Sequence, residues 1–164
     1  MKTKSIWVIL TALICLAVLA AALPVQADQP PPSPTPQTAL TDLERVAGGT
    51  LRVEWASGPG SQPLFISGQI PADERDPEQA ARTFFERYAA LYSMEAPQRE
   101  LQLARLEEDA FGMHHARFNQ TVNGVPVFGG QLIVHLRDGF ITAVNGTYFP
   151  DLQVDTSPRL TRDE

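Results

Sequence analysis

Apolar and polar positions alternate most regularly in the stretch from Gln131 to Leu136. Leu132, Val134 and Leu136 fall on one side of an extended chain, and Gln131, Ile133 and His135 on the other. That period of two is the signature of a half-buried antiparallel strand. Three pairs, Asn123-Gly124, Asp138-Gly139 and Asn145-Gly146, punctuate the surrounding β-branched and aromatic runs. Such pairs reach positive φ at little cost, so all three predict tight hairpin turns. Upstream, Met113 to Val122 reads as a strand with Ala116, Phe118, Gln120 and Val122 on one face. Glu100 to Glu107 reads as another, through Leu101, Leu103 and Leu106, with a turn at Glu108-Asp109. Leu51 to Trp55 and Leu64 to Gly68 form a further pair of strands, broken by Ser57-Gly58-Pro59-Gly60-Ser61.

Helical spacing is confined to the first half. The best helix begins at Asp76, an N-cap followed by Pro77 at the first helical position, Glu78 and Gln79. Ala81, Phe84, Phe85, Tyr88 and Leu91 then recur at three and four residues and predict one broad apolar stripe. A shorter helix is predicted from about Thr41 to Ala47, with Thr41 and Glu44 as a capping box and Gly48-Gly49 as its stop. The elements together predict an α+β domain, a curved antiparallel sheet packed against one main amphipathic helix.

The first 38 residues do not fit that domain. Lys2 and Lys4, a charge-free apolar run from Ile6 to Leu23, and Val25-Gln26-Ala27 follow the order of a secretory signal peptide, with cleavage between Ala27 and Asp28. The run has 18 residues, long enough for an uncleaved membrane anchor as the alternative. Residues 28–38 hold five prolines and predict an extended spacer. The domain itself is expected over 39–156. Thr161 with Glu164 is a further capping box, so 157–164 are expected to open a following segment that is cut short.

Charge and cysteine narrow the function. The chain carries 13 Lys+Arg and 19 Asp+Glu. Both lysines leave with residues 1–27, so 11 basic against 19 acidic residues remain, a side-chain charge of −8. An acidic exported domain is a poor partner for nucleic acid or anionic lipid, and a membrane enters only if the signal segment stays. Cys15 is the only cysteine and lies in the signal run, so no disulfide supports the domain.

Chemistry is sparse. No H-E-x-x-H or G-x-S-x-G motif is present, so the expected catalytic and metal residues are none, and no cofactor is expected in this chain. His114 and His115 are adjacent and point to opposite faces of a strand. A site built from one of them, His135 and a carboxylate is conceivable geometrically, beside the plainer reading of cross-strand surface residues. Val125-Pro126-Val127-Phe128-Gly129-Gly130 offers a candidate partner-contact surface. Pro126 denies the ladder a donor, which places this segment at a sheet edge or beside a bulge.

The phrase from Gln120 to Gly130, Gln-x-x-x-Gly-Val-Pro-Val-Phe-Gly-Gly, resembles the FTP domain, the N-terminal propeptide module of thermolysin-like and fungalysin-like secreted metallopeptidases. Phe65-Ile66-Ser67-Gly68, Asp76-Pro77, Glu100-Leu101, His115 to Gln120 and Val144-Asn145-Gly146 extend the likeness from about Pro63 to Arg159, with Gln120, Gly124 and Gly146 as motif positions. The resemblance implies a non-catalytic module that assists folding of a metallopeptidase domain and inhibits it, in cis or in trans. Zinc is implied only for a downstream peptidase domain, and the family order implies a PepSY-like region after this module. The alternative is a stand-alone secreted or membrane-tethered protein-binding module.

Overall fold

The computed structural model describes residues 33–58, 61–72 and 76–157. The expected signal segment, its Ala27-Asp28 junction and the Thr161/Glu164 cap lie outside these residues. From Pro34 onward the described residues form one compact unit. In chain order it contains α1 (Pro36–Val46), β1 (Arg52–Trp55), β2 (Pro63–Pro71), α2 (Pro77–Arg87), a 3₁₀ turn (Ala89–Tyr92), α3 (Pro97–Glu100), β3 (Leu101–Glu108), β4 (His114–Val122), β5 (Val125–Arg137) and β6 (Phe140–Thr147). The six strands make a single antiparallel sheet in the order β1-β2-β6-β5-β4-β3.

The α+β expectation holds in its coarse form, whereas a single main helix does not describe the layer on the sheet. Helix α1 also buries a stripe, Ala39 and Leu43, and packs against the 3₁₀ turn and β2. It starts earlier than the hydrophobic pattern indicates. Thr35 is the N-cap, accepting from the Thr38 amide at 3.2 Å while the Thr38 hydroxyl accepts from the Thr35 amide at 2.8 Å. Pro36 then occupies the first helical position, where its missing N–H costs nothing. The last proline of the expected spacer is therefore a helix starter, and Thr41 bonds back to the Gln37 carbonyl inside the helix.

Helix α2 starts where its sequence requires but ends at Arg87, with Tyr88 as its C-cap and Leu91 in the 3₁₀ turn. The Asp76 carboxylate accepts from the amides of Glu78 and Gln79 at 2.8 and 3.2 Å. Replacing Asp76 by Ala is expected to lower stability by about 1 kcal/mol, read as a shift in the urea midpoint, while Asp76→Asn retains most of it. The stripe Ala81, Phe84, Phe85, Tyr88 and Leu91 is buried throughout. Phe85 meets Phe118 of β4 edge-on at 5.7 Å between ring centres, which fixes the helix over β4, one strand in from the β3 edge of the sheet. Asp42 of α1 ties the helices together, accepting from Arg87 at 3.0 Å and from the Tyr88 hydroxyl at 3.2 Å.

Two of the three turn expectations are realised. Asn123 and Gly124 both have positive φ, at 51° and 80°, and close a two-residue hairpin between β4 and β5. Asp138 and Gly139, at 53° and 79°, do the same between β5 and β6. Asn145-Gly146 is not a turn. It lies inside β6, with Asn145 opposite Ile133 and Gly146 opposite Leu132. Its flanks, Val144 and Thr147, are as strand-like as those of the two real turns, so pairing with β5 decides the matter, and the glycine admits the close approach of the Gln131 backbone.

The face under the helices collects Ile66, Ala116, Phe118, Leu132, Val134, Leu136 and Val144, all buried. On β4 the expected inward series holds for Ala116, Phe118 and Gln120 but not for Val122. A register break between Asn119 and Thr121 advances the parity by one residue, so Thr121 is buried in its place.

Candidate functional site

The register of β4 against β5 explains the Gly-Val-Pro-Val-Phe-Gly-Gly phrase. Asn119 pairs with Gln131, and the next printed pair is Thr121 with Pro126. Four residues of β5, Val127 to Gly130, thus oppose the single residue Gln120. The extra chain bulges outward and leaves Phe128 fully exposed, while Val125, paired with Val122 beside the turn, is half exposed. Strand β5 is interior to the sheet, between β6 and β4. Register pairing with β6 begins only at Gln131, so Val125 to Gly130 pairs with β4 alone, and Pro126 lies at a local edge of the sheet beside the bulge.

Gln120 passes across Gly130 to reach the chain leaving β6. Its Nε2 donates to the Phe149 carbonyl at 2.6 Å, and its Oε1 accepts from the Phe149 amide at 2.9 Å. One side chain thereby supplies both hydrogen bonds that a neighbouring strand would give. A Cβ on Gly130 would stand 2.7 Å from that Oε1 and 2.9 Å from the Gln120 Cβ, so the residue must lack one. Beside this clamp, Thr121 donates to the Arg99 carbonyl at 2.9 Å. The Tyr148 hydroxyl donates to Glu100 in a short contact, while the other Glu100 oxygen accepts from the amides of Glu95 and Ala96 at 3.1 and 2.6 Å. Burial, and then the Glu100 carboxylate, push the Tyr148 hydroxyl far above the ordinary phenol range. Gln120, Thr121, Glu100 and Tyr148 all find their partners within this knot, so it acts as architecture. The knot forms the floor of a polar cleft of about 660 Å³, rimmed by Glu95, Arg99, Asn123 and Asp151.

The open face of the sheet, away from the helices, carries the histidines. His115 and His135 are direct cross-strand partners, and His135 pairs on its other side with Ala143 of β6. Their Nδ1 atoms lie 2.7 Å apart. His115 Nε2 meets Asp109 Oδ2 at 3.2 Å, and His135 Nε2 meets Asn145 Oδ1 at 2.6 Å. Asp109 and His135 therefore stand at opposite ends of the His115 ring and cannot hold one ion together. Among the described residues no group of three or more His, Asp or Glu side chains is placed to hold a metal ion. The conceivable metal site of the sequence is thus a row of hydrogen bonds, and His114 points to the other face of β4 away from it. Next to the row, Arg117 donates to Gln131 at 2.5 Å and Gln131 to Asn119 at 2.9 Å. The sequence held the signal for these contacts, since alternation puts His115, Arg117 and Asn119 on one face, but register alone set the partners.

Comparison with known proteins matches these features to one family. Residues 99–148 match the FTP family, described as the Fungalysin/Thermolysin Propeptide Motif. The segment begins at Arg99 and ends at Tyr148, so it takes in Glu100, Gln120, Thr121, Gly130, Gly146 and the histidine row. The chain carries an FTP propeptide motif, and that motif is not a catalytic domain. Among curated proteins it is similar to "Thermolysin" of Alicyclobacillus acidocaldarius subsp. acidocaldarius, 30% identical over 95 residues, covering 57% of this chain and 17% of the relative. It is also similar to "Thermolysin" of Bacillus caldolyticus at the same identity and coverage. "Thermostable neutral protease NprT" of Geobacillus stearothermophilus is 30% identical over 102 residues, 61% of this chain and 18% of the relative. The chain spans less than a fifth of the length of these relatives. No solved structure matches it significantly.

Proposed function

We propose that this chain is the non-catalytic prosegment module of a secreted thermolysin-like or fungalysin-like zinc metallopeptidase, which helps the peptidase domain fold and then inhibits it. The observation that carries this reading is the FTP match over 99–148, supported by the thermolysin relatives. A secreted protease must reach a kinetically persistent native state without digesting itself. A rigid, fully satisfied β-module that binds the folding domain answers both needs. In this proposal residues 1–27 form the export signal, cleaved between Ala27 and Asp28, and the module occupies the chain from the α1 cap to residue 156. Residues 157–164 then open the segment that follows. No helix among the described residues is long and apolar enough to cross a membrane. Zinc belongs to the peptidase partner, whether in cis or in trans.

The contact surface we assign is the bulge Val125 to Gly130, where Phe128 projects from a stretch of β5 that pairs with β4 alone. A full-size aromatic ring presented on a braced bulge is the kind of anchor that dominates protein interfaces. The test supplies residues 28–164 in trans to a refolding thermolysin-type catalytic domain. The expected result is a several-fold higher yield of native peptidase and slower hydrolysis by preformed enzyme, both weakened by Phe128→Asp. Unchanged yield and unchanged hydrolysis overturn the proposal.

A further inference from the structure

The row Asp109, His115, His135 and Asn145 crosses three strands and a turn on the open face of the sheet, and the prosegment reading makes no use of it. Its protons can be counted. Asp109 Oδ1 already accepts from the amides of Phe111 and Met113 at 2.8 and 3.0 Å, and Oδ2 faces His115 Nε2. A carboxylate only accepts, so His115 donates from Nε2. While that ring is neutral its Nδ1 holds a lone pair, and His135 must donate to it from its own Nδ1. The ring centres are 4.9 Å apart, close to the 2.7 Å contact plus the two ring radii, so the nitrogens meet head-on. One hydrogen fits between them and two do not. At the far end, a proton on His135 Nε2 suits Asn145 Oδ1, and rotation of the amide suits the state without it. The row therefore closes with one excess proton or with none. The next proton has only the Nδ1 lone pair of His115 to take, and it turns the contact into two N–H groups aimed at each other.

We propose that Asp109, His115, His135 and Asn145 form a proton-operated latch on the open face of the sheet, closed while one proton lies between the two Nδ1 atoms and opened when each Nδ1 carries its own. Imidazole is in general the side chain whose charge changes within the range from pH 5 to 8, and a second proton on the pair makes both rings imidazolium. Asp109 remains a carboxylate through that range, because the Met113 and Phe111 amides, and then His115, hold it below the usual carboxylate range. Asp109 is the charged group in contact with the pair, and it favours a proton on His115; the other charged groups around the pair have partners of their own. Glu107 of β3 lies opposite His115 but is paired to Arg105 at 2.7 Å. Arg117 follows on β4, bonded to Gln131. On β5, Arg137 follows His135 and is paired to Asp138. From β6 the pair meets Ala143 and Asn145, which carry no charge. Opening separates the β4 and β5 halves of the row on the open face, so the second proton is expected to loosen the module.

Imidazole ¹⁵N spectra and urea unfolding of residues 28–164 at pH 7.5 and 5.0 test the latch. At pH 7.5 one of the two rings is expected to show a protonated Nδ1 and the other a bare Nδ1, and at pH 5.0 both are protonated. The unfolding constant is expected to rise at least fivefold more between the two pH values in the wild type than in His115→Gln or His135→Gln. His114, common to all three proteins, cancels. Two outcomes overturn the proposal: both Nδ1 atoms bare at pH 7.5, or the same pH dependence in all three proteins. The spectra stand alone if a variant fails to fold, and neither readout involves a peptidase, so the prosegment reading can fail without affecting this result.

Discussion

Gly146→Val is expected to prevent the domain from folding, with a loss of about 4 kcal/mol or more and disappearance of the β-sheet signal in far-UV circular dichroism. Gly146 lies within β6 at a φ of 135°, a conformation that L side chains rarely adopt. A Cβ there would fall inside contact distance of the Gln131 carbonyl oxygen and 3.0 Å from the Leu132 Cα. Those atoms belong to the backbone of the neighbouring strand, so no rotamer change relieves the clash. The strand would have to separate from β5 at the point where Leu132 and Val144 close the core. Gly124→Ala provides the contrast. It also has positive φ, at 80°, but nothing lies within 4 Å of its added Cβ. Only the left-handed conformation is penalised there, at about 1–2 kcal/mol. A Gly146→Val protein that is soluble and as stable as Gly124→Ala would refute the steric account.

The contrast also shows what the sequence carried. Alternation located the inner face of β5 and β4 through Leu132, Val134, Ala116 and Phe118, since burial on one side of a sheet writes a period of two directly into the chain. Asp76-Pro77 located α2 because capping is local. Thr35-Pro36 carried an equally local signal, hidden because a proline cluster reads as a spacer. What local pattern could not supply was register. The pair Asn145-Gly146 has the composition of a turn, and only its pairing to Ile133 and Leu132 shows it to be a strand crossing close to another backbone. The same holds for the histidines. Opposite faces for His114 and His115 follow from alternation, whereas the meeting of His115 with His135 depends on the two-residue turn at Asn123-Gly124 and on the bulge that follows it. The Gln120 to Gly130 phrase was legible as a resemblance before any geometry explained it, since its residues cooperate across the sheet and not along the chain.

That cooperation gives the second large effect. Gln120→Ala removes both hydrogen bonds to Phe149 and leaves a backbone N–H and C=O at the edge of the cleft without their partner. The expected loss is about 2–4 kcal/mol. Gly130→Ala alone presses its new methyl to within 2.7 Å of the Gln120 Oε1 and 3.2 Å of the Val127 Cβ, at an expected cost of about 1–3 kcal/mol. Most of that cost comes from forcing Gln120 off Phe149, and Gln120→Ala has already broken that contact. The double variant is therefore expected to be more stable than the sum of the two single losses by at least about 1 kcal/mol, measured as urea unfolding in a double-mutant cycle. The Gln120 Cβ, 2.9 Å from the added methyl, survives in the alanine variant, so part of the Gly130 cost remains. Additivity within about 0.5 kcal/mol would mean that Gly130 and Gln120 are not one device. The pairing of this glutamine with this glycine would then need another cause than the passage of one side chain over the other. If the coupling is found, the exposed Phe128 acquires a physical basis. The clamp that holds Gln120 against Phe149 passes over Gly130 at the base of the bulge, so loosening it should weaken partner binding through Phe128 before it unfolds the module.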